Sequence, residues 1–199
     1  NIDLVINFKS NFNEKRISLY VPPKQMLPNN PLFQDLIFQQ CIKLFLLKKS
    51  FTVILTNAID LKINLATKFA SKYGHLVLLE SLPKTSNSIL VSSFDWWIKN
   101  QYKCQLPDQI IIPLLPIPDA SQPFNEQTIS YYFQNSKDWF RDYLLPVTMN
   151  KLDKVVSPLR KNSGSLVILD GRVLNKQWGR ELINKIQPSK VLNYIFPFK

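Results

Sequence analysis

The stretch "SGSLVILDGRVLNKQWGRELI", residues 163–183, holds three of the chain's four glycines and its most suggestive pair of charges. The apolar run Leu166 to Leu169 reads as a buried strand, and Asp170, Gly171 and Arg172 follow it at once. Asp170 and Arg172 therefore stand at the carboxyl edge of a sheet, where open α/β folds place their ligands. A carboxylate in that position can orient the arginine toward a nucleotide, or the two can form a plain structural ion pair; the residues alone leave both open. Other reactive side chains are scarce. The single His75 precedes a strand with no partner at ligand spacing, so a surface or capping role is expected of it, and a small-molecule α/β enzyme built on a nucleophile and base is disfavoured. Cys41 sits in an apolar helical pattern and Cys104 in a distant polar stretch, which suggests neither a disulfide framework nor a metal site and fits a reducing cytoplasm.

With 199 residues and 45% hydrophobic content the chain can bury a sizeable core. Its longest apolar runs, such as Leu44–Leu47 and Ile110–Ile112, are too short to cross a bilayer, and no charged-then-apolar leader opens it, so no membrane partner is expected. The opening "NIDLVINFKS" lacks an initiator Met, and a piece of a longer protein is expected. The net charge of +11 attracts polyanions, nucleic acid first among them, although no dense Lys/Arg block appears and a Lys-, Asn- and Ile-rich composition can produce such a charge without a ligand.

The elements that must position these residues alternate along the chain. Strands are expected at 17–21, 51–56, 75–80, 88–93, 108–112 running into a proline-rich loop, and 165–169, with a short one at 191–195. Helices are expected from Asn30 as cap and Pro31 as first residue, from Asn57 to Gly74, over "FDWWIKNQY", at 123–134, at 136–157 with Ser136 as cap, and at 175–186. Strict alternation implies parallel pairing, and continuous apolar strands imply helices on both faces: a three-layer α/β/α domain with a mainly parallel sheet.

Four segments, in order, resemble the second motor domain of DinG/XPD-type superfamily 2 DNA helicases. "NFNEKRISLYVPPKQMLPNNPLF", 11–33, resembles that domain's opening, with 1–29 as entry strand and linker. "FTVILTNAIDL" is similar to the strand ending in Thr-Ser, and "QIIIPLLPIPDASQP" to "LVIIxxLPFPxPxxP". "GSLVILDGRVLNKQWGREL" is close to "GVVVILDxRxxxKxYGxxF", with Trp178 in the aromatic slot. The resemblance spans nearly the whole chain and implies a RecA-like fold of the P-loop NTPase type, spanning 1–199. The partner lobe, an N-terminal RecA-like domain carrying the phosphate loop G-x-x-x-x-G-K-(S/T), would bind ATP and Mg²⁺; that loop is absent from these residues. The family's glycines imply that Gly171 permits a sharp turn after Asp170 and that Gly179 lets the next helix approach its neighbours.

The resemblance also implies a motif Q-x-x-G-R-x-x-R, whose arginines neutralise charge on the γ-phosphate. The matching stretch is "KVVSPLRK", 154–161: Pro158 replaces the first arginine, and the second slot falls to Lys161 or, after a one-residue shift, to Arg160. In "SFDWWIK", 93–99, Ser93 and Phe94 match the family's "SFWEGxD", Trp97 and Lys99 replace its glycine and last acid, and Asp95 stands one position from the glutamate. Both departures put ATP turnover in doubt. Single-stranded DNA needs phosphate donors at sheet edges and aromatic faces for stacking, for which the candidates are Thr56, Asn57, Lys84, Ser92, Ser93 and Trp96 or Trp97. Against these stand ordinary readings: Asn57 as a helix cap, the serines as turn residues, one tryptophan in the core. A non-enzymatic nucleic-acid-binding or scaffold protein keeping the helicase fold is the alternative.

Overall fold

The structure, a computed structural model, describes residues 15–83 and 85–192; the Phe-rich opening, Lys84 and the end of the expected last strand lie outside them. Seven strands form one sheet: β1 (Ile17–Tyr20), β2 (Thr52–Leu55), β3 (Val77–Leu79), β4 (Ile89–Ser92), β5 (Gln109–Ile112), β6 (Ser165–Ile168) and β7 (Ser189–Leu192). Their order is β3-β4-β2-β5-β6-β1-β7, and every pairing is parallel. The carboxyl ends of all seven strands therefore share one edge.

Of the five interior strands, β2, β4, β5 and β6 are buried at every position because helices cover both faces, and β1 is buried at alternate positions. On one face lie α1 (Phe33–Lys48) and α2 (Ile59–Tyr73), which enclose Ile54, Ile89, Val91, Ile111 and Val167. The other face carries α3 (Phe94–Asn100), α5 (Leu145–Val156), α6 (Leu159–Asn162), α7 (Arg172–Asn175) and α8 (Gly179–Lys185), packed on Val53, Leu55, Leu90, Ile110, Ile112, Leu166 and Ile168. This is the expected three-layer α/β/α arrangement. Among the described residues no helix is long and apolar enough to cross a membrane.

Several helix boundaries differ from the sequence expectation, each for a local reason. Asn30 does not cap α1: its side-chain oxygen accepts from Leu32 N (2.9 Å) and its carbonyl from Phe33 N (3.0 Å), a turn ahead of a helix that starts at Phe33. Ser136 sits at φ +53° in a tight turn, and Asp138 takes its place as cap by accepting from Phe140 N and Arg141 N (both 3.1 Å). The helix then widens to a π turn over Phe140–Leu144 just ahead of Pro146, whose missing N–H cannot serve an ordinary turn. The expected helix at 175–186 is two short helices broken at 176–178.

α4 (Pro123–Gln134) matches its expected bounds but stands off the body, with Asn125 its only buried residue. Gly179 works as expected, because a Cβ there would fall on the Val173 carbonyl, so only glycine lets α8 start against α7. Gly171 has an ordinary φ of −60°; what requires it is the backbone at Gln25, whose carbonyl would lie 2.9 Å from a Cβ, rather than a sharp turn.

Candidate nucleic-acid interface

The carboxyl edge of β2 and β4 gathers most of the expected nucleic-acid set. Thr56 follows β2, fully buried; its N–H reaches Ser92 O (3.1 Å), and its hydroxyl accepts from Ala58 N (3.2 Å). Ser92, fully buried, closes β4 and donates to Ser93 O (3.1 Å). Ser93 is half-buried and caps α3, its hydroxyl accepting from Trp96 N (3.3 Å). Asn57 is exposed and, contrary to expectation, does not begin α2, which Ala58 precedes; its side-chain oxygen accepts from Phe94 N (3.1 Å), tying the end of β2 to the start of α3.

The two tryptophans divide as their adjacency suggests. Trp97 is fully buried and donates its indole N–H to Val155 O (3.4 Å), anchoring α3 to α5. Trp96 is half-buried at the rim and leaves part of its ring available for contact. Asp95, exposed at the start of α3, pairs with Lys151 of α5 at 2.8 Å.

Three charged residues that sequence reasoning missed, Glu80, Lys62 and Lys151, complete this set of contacts. Glu80, just past β3, accepts at Oε1 from Lys62 Nζ (2.8 Å) and from Ser93 N (3.0 Å). Burial raises its pKa, but the hydrogen bonds from Lys62 and from the Ser93 side chain and backbone, with the Lys62 charge, outweigh that and hold the carboxyl below the ordinary range. Glu80 is an acid directly after a strand, the same signal that singled out Asp170. Lys62 and Lys151 left no such mark, since each is one of many helix-surface lysines.

Asp170 lies two strands away, at the end of β6. It is fully buried, takes both the Nε and a terminal nitrogen of Arg172 (2.9 and 2.6 Å), and accepts from Leu115 N (2.9 Å). The ion pair is common to both alternatives left open by the sequence: the acid is spent on a guanidinium and on the loop after β5, while the arginine side chain stays partly exposed.

Arg160 and Lys161, assigned to the γ-phosphate motif, are at the other end of the molecule. α6 precedes β6, which puts both at the amino edge of the sheet, about 13 Å of strand away from Asp170. Lys161 is exposed. Arg160 is only 7% exposed, and its guanidinium donates to the carbonyls of Ile186 (3.0 Å), Gln187 (3.0 Å) and Pro188 (3.3 Å). That arrangement fastens the chain entering β7. The helix meant to carry the motif stops at Val156, and Pro158 opens the next short one.

Asp170 and Arg172 are paired with each other, Asp95 with Lys151, and among the described residues no group of three His, Cys, Asp or Glu side chains could hold a metal ion. Cys41 is buried, and burial pushes its thiol far up; Cys104 is shifted the same way.

No family model and no curated protein sequence matches the chain. Its fold is helicase-like: it is similar to a solved XPD helicase with a TM-score of 0.60 over 89% of this chain, at 9% identity. The chain corresponds to 36% of that structure's length. So distant a likeness carries the helicase-like, RecA-like fold and nothing finer.

Proposed function

We propose that the chain is the second RecA-like lobe of a DinG/XPD-type DNA helicase, binding single-stranded DNA along the carboxyl edge of β2 and β4, with motifs that impair its share of ATP turnover. The observation that supports this most is the convergence of Thr56, Asn57, Ser92, Ser93 and the rim of Trp96 on one edge of a helicase-like sheet. Thr56 and Ser92 are buried and shape the edge, while the Ser93 hydroxyl, the Asn57 amide and the Trp96 face are the groups it can present to a sugar-phosphate backbone and its bases, and the charge of +11 draws the polyanion in. ATP and Mg²⁺ would be held by an N-terminal RecA-like lobe of the same protein.

A second reading is favoured by Arg160. With that guanidinium enclosed by three carbonyls and Pro158 in the other arginine slot, the lobe offers the γ-phosphate no cation from this motif except the exposed Lys161 at the far edge. A nucleic-acid-binding scaffold that keeps the helicase fold without turnover accounts for that.

Anisotropy of a labelled oligothymidylate titrated with the chain at rising NaCl tests the DNA reading. Four to six phosphate contacts predict a slope of about −3 to −4 in log affinity against log salt. Absent or salt-independent binding rejects it. ATPase of the intact protein, with and without single-stranded DNA, separates the motor from the scaffold.

A further inference from the structure

We propose that Glu80 is a built-in phosphate mimic, an autoinhibitory contact that occupies an anion seat on the single-strand-binding edge and yields it when the DNA backbone arrives. The inference rests on the single-strand reading above and concerns its regulation. A cation, Lys62 Nζ, and an amide, Ser93 N, converge on one oxygen of Glu80 at 2.8 and 3.0 Å. A phosphodiester oxygen asks for the same pair of donors. The neighbouring donors are committed as well, Phe94 N to Asn57 and Trp96 N to Ser93 Oγ, so the edge as it stands satisfies itself.

Two features suit Glu80 to a displaceable role. Its backbone is held at φ +46°, a conformation that disfavours a residue with a Cβ, so the contact keeps it in a position it would otherwise leave. It also sits at the end of β3, an edge strand of three residues with no fully buried side chain, whose Leu79 is 46% exposed. Withdrawing the carboxylate therefore need not open the core. Once withdrawn, it uncovers Lys62, whose side chain is only 16% exposed beside it.

The test uses the 199-residue chain and a labelled oligothymidylate of about 20 nucleotides. Glu80→Asn is the principal variant, since Asn accepts positive φ and is too short to reach Lys62; Glu80→Gln keeps the shape without the charge. Asp60→Asn, which removes an exposed acid from the first turn of α2, controls for net charge. The inference expects Glu80→Asn to tighten binding by about tenfold and Asp60→Asn by less than about twofold, with the gain abolished when Lys62→Met is added. Binding by the wild-type chain, with Glu80→Asn and Glu80→Gln no tighter than Asp60→Asn, overturns the inference and leaves the single-strand reading intact. Salt-sensitive binding by Glu80→Asn alone supports both, and no binding by any of the chains overturns both. Thermal melts of each variant confirm that folded protein is compared.

Discussion

Arginine at position 160 illustrates how completely the surroundings of a side chain decide its work. Three carbonyls at the entry to β7 take its planar fork, a geometry that a lysine's single ammonium cannot reproduce. Arg160→Lys is therefore expected to lower stability by about 1–3 kcal/mol in a urea titration, by leaving buried carbonyls unserved, while single-strand affinity stays as it was. Glu80 makes a pH prediction. Its folded pKa is depressed below the ordinary 4.5, so the stability it contributes is present above that value and is lost as pH falls through the folded value. The difference in urea midpoint between wild type and Glu80→Gln should shrink between about pH 6 and about pH 3; a constant gap would mean that the charge contributes nothing.

At the scale of elements, the strands were the legible part. Runs such as "TVIL", "ILVS" and "QIII" are apolar at successive positions because both faces of the sheet are covered, and each falls inside its expected range. Helix ends were less legible. A cap is a choice among nearby hydrogen-bond partners, and Asn57 found its partner on another element, which no local pattern announces. The same holds for the site: residues at strand ends could be read because strand ends in a parallel sheet share an edge. Arg160 and Lys161 lie at the amino edge because the helix breaks before Pro158, and motif spacing does not say which edge a broken helix leaves them on. The junction of α7 and α8 gives the prediction for this scale. Gly179→Ala drives a methyl into the Val173 carbonyl, and α8 must back away from α7. A loss of about 2–3 kcal/mol in denaturant titration is expected, and a neutral result would mean that the junction gives way freely.

At the scale of the whole molecule, a charge of +11 acts on folding and binding in opposite senses. Self-repulsion loosens the compact state, and salt screens it, so the melting temperature should rise between about 0.02 and about 0.3 M NaCl while single-strand affinity falls. A melting temperature that fell with salt would show that attractive surface pairs dominate instead. The sheet order has a further consequence for how the molecule is made. β1 is synthesised first, yet both its neighbours, β6 and β7, come from the last stretch of the domain. On the ribosome, Ile17 and Leu19 must travel as unpaired, aggregation-prone chain until residues 165–192 emerge, and contacts so distant in sequence make for slow closure. A nascent chain halted before Ser165 would hold β1 to β5 without those two partners, leaving β1 without a berth.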